Sequence, residues 1–140
     1  MEIEILLSNE FATLWLYPET RIVHHQFHKA ISGQAFQEVL NLGLKQFKEG
    51  RANKWLSDDR LNTILPFDDS AWSNGFWLPQ MLKAGWTRWA IVLPEKQLGQ
   101  INMRRLIRET AGNKVAAETF FNTSDALAWL ELVVFGQALG

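Results

Sequence analysis

The chain contains no cysteine, and this absence removes several kinds of chemistry. Without a thiol there can be no disulfide, no thiolate metal site and no cysteine nucleophile. The sequence also lacks any apolar run close to the roughly 20 residues that a membrane span needs, so no span is predicted. Residues Met1 to Ile5 carry acid where a signal peptide would carry base. Together these absences predict a cytoplasmic protein.

Net charge is also nearly absent, since 14 Lys and Arg are set against 15 Asp and Glu for a formal charge of −1. A balanced chain has no field that would draw nucleic acid or acidic lipid from a distance. The basic group Arg104, Arg105 and Arg108 is therefore interpreted as a solvated helix surface, and nucleic acid is not an expected partner. The nucleophile elbow, the phosphate-binding glycine loop, the dinucleotide fingerprint and the zinc-protease motif do not occur. We expect no enzymatic activity and no cofactor.

Tryptophan, by contrast, is abundant, with 7 residues in a chain of 140. Large aromatic side chains contribute strongly to cores, and they also line apolar pockets and subunit interfaces. The length matches one domain of the commonest size, so residues 1–140 are predicted to form a single domain.

The first part of the chain has the pattern of an antiparallel meander. Apolar alternation and strand-forming residues predict strands over 2–7, 11–17 and 21–28. The connections between them are too short for a crossover, so neighbouring strands must run antiparallel.

Helical and strand patterns then alternate. The run Thr87–Pro94 is apolar and bounded by breakers, and it is predicted to be the central strand. The pattern predicts further strands at 53–57 and 114–121, and helices over 32–50, 68–82, 96–110 and from 124 onward. Ser32 is predicted to cap the first helix and Gly50 to end it, and the segment Asn122–Asp125 is predicted to cap the last helix. Gly75 and Pro79 predict a kink or break in the second helix. The predicted fold class is α/β, with a mixed sheet of about six strands and about four helices.

Three stretches resemble the STAS / SpoIIAA-like group, which includes the anti-sigma factor antagonists. They are Trp55–Arg60, Ala84–Glu95 and Phe121–Leu130. The resemblance implies a SpoIIAA-like fold, a bacterial source and a regulatory role through a protein partner. The same fold is similar to the lipid-binding lobe of lipid-transfer proteins, which implies a small apolar ligand as the alternative.

The resemblance also points to Ser70 as a candidate for phosphorylation. The antagonists carry a phosphorylatable serine in an Asp-Ser-Ser-Gly context at a helix N-terminus, and only Asp69-Ser70 matches that pattern here. Read without the resemblance, Ser70 with Asp68 and Asp69 is predicted to be a helix cap.

The polar cluster Asp58, Asp59 and Arg60 is predicted to follow a parallel strand, where open α/β sheets place ligand crevices. Because successive strand residues face opposite ways, the two aspartates are not expected to form one acid-base pair. The alternatives are a ligand or partner contact and an ion pair that holds the loop.

Three histidines raise the question of a metal site. His24 and His28 share a strand face, but strand rise puts them about 13 Å apart, too far for one ion. His25 faces the other way and is interpreted as a hydrogen-bonded core residue. We predict no metal site.

One apolar group remains, composed of Trp72, Phe76, Trp77, Met81 and Trp86. Most of it is expected in the core. Because the helix that carries it is interrupted, part of it is predicted to line an apolar pocket or a self-association surface such as a homodimer contact. The apolar tail Leu132–Phe135 is open between a docked helix end and an interface segment. The leading hypothesis is a non-enzymatic interaction module, and the alternative is a binder or sensor of a small apolar, lipid-like ligand in a tryptophan-lined pocket.

Overall fold

The structure is a computed structural model that describes residues 2–62, 64–94 and 115–139, with 133–139 described by backbone alone. Over these ranges it has the mixed α/β architecture that the sequence predicts. The described strands form one six-stranded sheet in chain order. They are β1 (Glu4–Ser8), β2 (Ala12–Tyr17), β3 (Ile22–Phe27), β4 (Lys54–Asp58), β5 (Arg88–Val92) and β6 (Ala116–Phe120).

The first three strands are the predicted antiparallel meander. β1 pairs with β2 and β2 with β3, each through a tight turn. The turn before β3 contains Arg21 at a positive φ of 63°, and its guanidinium donates to the carbonyl of Gly50. That contact ties the meander to the chain just beyond the first helix.

The remaining strands are parallel to β3, as expected for strands joined through helices. Ile22, Lys54, Arg88 and Ala116 are aligned across them in register. One prediction is wrong in detail, because the run around β5 is not the central strand. It is an interior strand between β4 and β6, while β3 and β4 occupy the middle of the described sheet. Apolar character marks burial on both faces, and every interior parallel strand shares that burial.

Helix α1 (Gly33–Lys48) follows the meander. Ser32 is the N-cap residue and Gly50, at a positive φ of 75°, follows the helix end, as predicted. The apolar side of α1 is buried on the sheet. The buried residues of this side include Phe36, Val39, Leu40, Leu44 and Phe47.

The second helix runs from 67 to 83 and is interrupted in the middle, as Gly75 and Pro79 predict. It consists of α2 (Phe67–Trp72), a π-helical turn (Ser73–Trp77) and α3 (Leu78–Lys83). Pro79 has no N–H that could bond to the carbonyl four residues earlier, at Gly75. The wider π turn accommodates this missing hydrogen bond, so the helix continues. We call the segment 67–83 the interrupted helix.

The last helix, α4 (Thr123–Leu139), packs on the opposite face of the sheet against β4, β5 and β6. The Asn122 side-chain oxygen accepts a hydrogen bond from the Asp125 N–H at 2.8 Å, so the predicted cap at this helix start is confirmed. The predicted helix over 96–110 lies outside the described residues, and so do the three arginines on it. No described helix is long and apolar enough to cross a bilayer.

The sheet therefore has two faces with separate cores. The α1 face is covered by α1 and the interrupted helix, and it holds the larger core, including Val23, Trp55 and Ile91. The α4 face holds a smaller core around Leu56 and Ala90.

Candidate functional site

A cavity of about 90 Å³ lies on the α1 face, between strands β3 to β5 and the interrupted helix. Its walls are mostly apolar, and most of the apolar residues are aromatic. The aromatic lining consists of Phe27, Phe36, Trp55, Trp77, Trp86 and Trp89, and the polar lining includes His25, Ser57, Asp59 and Asn62. An apolar pocket with a few convergent polar groups has the general form of a small-molecule site.

His25 forms the centre of a buried hydrogen-bonded chain at one wall of the cavity. The indole N–H of Trp55 donates to His25 Nδ1 at 2.9 Å, and His25 Nε2 lies 2.7 Å from Asp59 Oδ1. An indole nitrogen can only donate, so Nδ1 must be the acceptor and the ring proton must be on Nε2, which donates to the carboxylate. The hydrogen-bond partners of the His25 ring therefore assign its tautomer, without the ring hydrogen itself being located.

Ser57, His25 and Asp59 are the residue types of a hydrolytic triad, but their bonding does not match one. Ser57 Oγ accepts a hydrogen bond from the indole of Trp89 at 2.9 Å. Both nitrogens of His25 are already engaged, one by Trp55 and one by Asp59, so neither is free to take a proton from the serine. The arrangement is suited to binding rather than to nucleophilic catalysis.

The other indole nitrogens at the cavity are also satisfied within the protein. Trp77 donates to the carbonyl of Leu40 at 2.8 Å, and Trp86 donates to the carbonyl of Arg88 at 2.8 Å. These bonds fix the rings while leaving no indole donor for a ligand.

Gly43 in α1 positions the deepest ring. A Cβ placed there would overlap Cη2 and Cζ3 of Trp55, so the indole packs directly against the helix backbone. Phe47 and Trp77 pack against the same indole, with ring centroids 6.0 and 5.4 Å from that of Trp55. The helix, the indole and the His25–Asp59 pair are therefore one packed unit.

The predicted aromatic group is divided by the structure. Trp77 and Trp86 line the cavity, while Met81 is fully buried in the core. Trp72 is half-buried against Phe36, and Phe76 is 54% exposed. Two members of the group thus line the cavity, Trp77 from the interrupted helix and Trp86 from the segment that follows it.

The predicted polar cluster is divided as well. Asp59 lines the cavity, whereas Asp58 points to the α4 face, as strand alternation requires. Asp58 forms an ion pair with Arg60, one of the two predicted alternatives, because its carboxylate accepts from Arg60 Nε at 2.9 Å and from Arg60 Nη2 at 2.7 Å. This bond raises the pKa of the Arg60 guanidinium. The two aspartates therefore serve different sites.

The three histidines do not come together. His28 is exposed and its Nε2 lies 2.8 Å from Thr13 Oγ1. His24 is buried on the α4 face beside Tyr17 and Trp15, and burial lowers its pKa from 6.5 to about 4. Among the residues that the structure describes, no three acidic or histidine side chains form a group that could hold a metal ion.

Ser70 is not the helix cap that the sequence predicts. The N-cap residue of α2 is Pro66, four residues earlier, and Ser70 lies within the helix with its N–H donating to the carbonyl of Pro66. Asp69 is buried and accepts from the N–H of Gly33 at 3.0 Å, so it bonds the start of α1 rather than its own helix. The acidic pair Asp68 and Asp69 does lie in the first turn of α2, so the predicted helix start is within one residue of the observed one and only the cap is wrong.

Several cavity residues were not singled out from the sequence, among them Trp55 as a lining ring, Trp89 and Ser57. The missing information was register, because Trp55 pairs with Trp89 and His25 with Ser57 on adjacent parallel strands. Residues paired in this way share a face. Alternation combined with the correct strand neighbours would have placed all of them at one site.

Comparison of the chain with protein-family models, with curated proteins and with solved structures gave no match. The resemblance to the STAS / SpoIIAA-like group stays a prediction, and the site is interpreted from its own geometry.

Proposed function

We propose that this protein binds a small ligand in the cavity on the α1 face. The observation that carries the proposal is the convergence of four fixed indoles and one buried carboxylate, that of Asp59, on a single cavity. A buried carboxylate beside unfilled apolar space is costly unless it has a role, because such groups normally bond to most of their surroundings. Ligand binding accounts for a buried carboxylate beside unfilled apolar space, whereas packing alone does not.

The size of the cavity limits the ligand. Its volume of about 90 Å³ is well below the roughly 300 Å³ at which pockets for drug-sized ligands begin. A compact head group or a single ring fits such a space, whereas an extended acyl chain would have to continue outside it. The proposal therefore favours a compact ligand over a whole lipid.

Toluene is a suitable neutral probe for the cavity, with binding read from ligand-detected NMR. Ser73 lines the cavity on the π turn, so Ser73→Leu should fill part of the space and lower toluene affinity by about tenfold or more. Ser70→Leu is the matched control, because it lies on the same helix, is also half-buried and does not line the cavity. Equal toluene affinity of the two variants would show that the cavity is not the binding site.

A second candidate function is the protein-interaction role that the resemblance implies. Its support is an exposed apolar segment after β4, in which Leu61, Ile64 and Phe67 lie at the surface, the last 85% exposed. Exposed apolar residues that cluster are typical of contact surfaces. Light scattering and a pull-down with wild type and a Leu61→Ser, Phe67→Ser double variant test it. A monomer whose captured partners do not change on mutation would refute it.

Phosphorylation of Ser70 belongs to the same candidate. The residue is half-buried, within the first turns of α2 and beside two acidic neighbours, Asp68 and Asp69. A phosphate would be favoured by the helix start and opposed by those carboxylates. Mass spectrometry of the protein purified from its native host tests the prediction, and an unmodified Ser70 in every preparation would count against it.

A further inference from the structure

The charge of the cavity has a single sign. Asp59, only 8% exposed, is the one acidic residue in its described lining, and that lining contains no lysine or arginine. The remaining titratable residue is His25, whose Nδ1 must be unprotonated to accept from Trp55. The described part of the cavity therefore offers a negative charge and no positive one.

The indoles add to the same polarity. Each of the four cavity tryptophans has its N–H bonded inside the protein, so no indole can donate to an anion or to a carbonyl of a ligand. What the rings still offer is their π surface, which is the negative part of an aromatic quadrupole. A positive group is the ligand chemistry that such surfaces attract.

The rings are arranged as walls rather than as a stack. Trp55 and Trp77 meet at 87°, Trp77 and Trp86 at 67°, and Trp86 and Trp89 at 56°. The centroids of these consecutive pairs are 5.4 to 5.6 Å apart. Inclined neighbouring rings that line one small space resemble an aromatic cage, the arrangement used to recognise methylated ammonium groups.

We infer that the ligand of this cavity is a small organic cation, with a methylated or alkylated ammonium group held among the indoles and its charge balanced by Asp59. This inference rests on the proposed function and names the ligand class for the same site. Alkyl groups on the nitrogen reduce the cost of removing the cation from water, which suits a mostly apolar cavity. The hydrogen bond from His25 Nε2 at 2.7 Å keeps the carboxylate oriented before the ligand arrives.

Choline and 3,3-dimethylbutan-1-ol test the inference, because they have the same shape and differ in the charge of the head group. Both are titrated at constant ionic strength, with tryptophan fluorescence as the readout. We expect choline to bind at least about tenfold more tightly than the alcohol. Equal affinity for the two would overturn the cation inference and leave the binding function standing. Binding of neither probe, with no binding of toluene, would refute the proposed function itself.

Asp59→Asn tests the role of the carboxylate. It should remove most of the preference for choline while leaving the affinity for the alcohol nearly unchanged. Asp58→Asn is the matched control, because Asp58 is adjacent in sequence and points to the opposite face. Loss of the choline preference in the Asp58 variant, or its retention in a folded Asp59 variant, would contradict the assignment. Trp86→Leu gives a second test that keeps the carboxylate, and it should weaken choline binding more than alcohol binding.

Discussion

Gly43 offers a sharp test of how the cavity is built, because the usual effect of its replacement should be reversed. In a helix interior, alanine is more favourable than glycine by about 1 kcal/mol. At Gly43, however, the new Cβ would overlap two ring atoms of Trp55 and lie 3.2 Å from Val23 Cγ1. Trp55 is only 1% exposed and is held by its hydrogen bond to His25, so it has little room to move.

The expected size follows from these opposing effects. Overpacking a well-filled core costs about 1–3 kcal/mol, and a two-atom overlap with a ring held on several sides belongs at the upper end. After subtracting the propensity gain of about 1 kcal/mol, we expect Gly43→Ala to lower the free energy of unfolding by about 2 kcal/mol. For a chain of this length that corresponds to a fall in Tm of roughly 6 °C.

Urea unfolding followed by tryptophan fluorescence measures the effect, with Gly75→Ala as the control. Gly75 is exposed on the π turn and has no heavy atom within 4 Å of a Cβ position, so its replacement should be neutral or stabilising. Gly43→Ala should also weaken toluene binding, since a displaced Trp55 changes the cavity. If the two variants were equally stable, the packing of Trp55 on the helix backbone would not be the constraint described.

Three further predictions concern buried polar groups. Because the pKa of His24 is lowered to about 4 in the folded protein, the unfolded state takes up the proton first, so stability should fall by up to about 3 kcal/mol as the pH drops from 6.5 to 4. Urea unfolding across that range should show the loss in wild type and a flatter profile in His24→Gln, and equal profiles would refute it. Trp55→Phe should destabilise the fold by about 2–4 kcal/mol, since it leaves a space and an unpaired nitrogen on His25. The Nε2–H form should persist, because the Asp59 carboxylate still accepts from that nitrogen, so ¹⁵N NMR of the imidazole should show a change at Nδ1 alone. Arg60→Ala should lower the free energy of unfolding more than Asp58→Ala does, by about 1 kcal/mol or more in denaturant titrations. Arg60→Ala leaves unpaired a carboxylate side chain that is only 3% exposed, whereas Asp58→Ala leaves unpaired an arginine side chain that is 38% exposed. Equal costs would show that the pair is solvated.

Local patterns were sufficient to predict much of the fold. Strand alternation identified the meander, Ser32 and Gly50 marked the ends of α1, and Gly75 with Pro79 predicted the interruption of the second helix. These features depend on residues close together in the chain, where side-chain period and backbone restrictions act directly. The cap of α2 was misjudged because Ser70 lies inside the helix and Asp69 bonds the start of α1, a contact between segments 36 residues apart.

The site was predicted only in part, because it depends on register between strands. Asp59 and Trp86 were singled out in two separate groups, a polar cluster and an aromatic group, yet both line the same cavity. They meet because the cavity extends along the sheet face across β3, β4 and β5, with the π turn as its cover. The pairing of Trp55 with Trp89 brings the two groups to one site, and the residue pattern within a single strand contains no information on that pairing.

The most direct test of the binding site uses the indole N–H resonances of the tryptophans in a two-dimensional NMR titration with tetramethylammonium chloride. Sodium chloride at equal ionic strength is the control for salt effects. The four cavity residues should shift in a saturable manner, while Trp15 and Trp129, which pack on the α4 face, should not. Those four residues are Trp55, Trp77, Trp86 and Trp89. Shifts confined to Trp15 or Trp129, or no saturable shift beyond that caused by sodium chloride, would contradict the assignment of this cavity as a cation site.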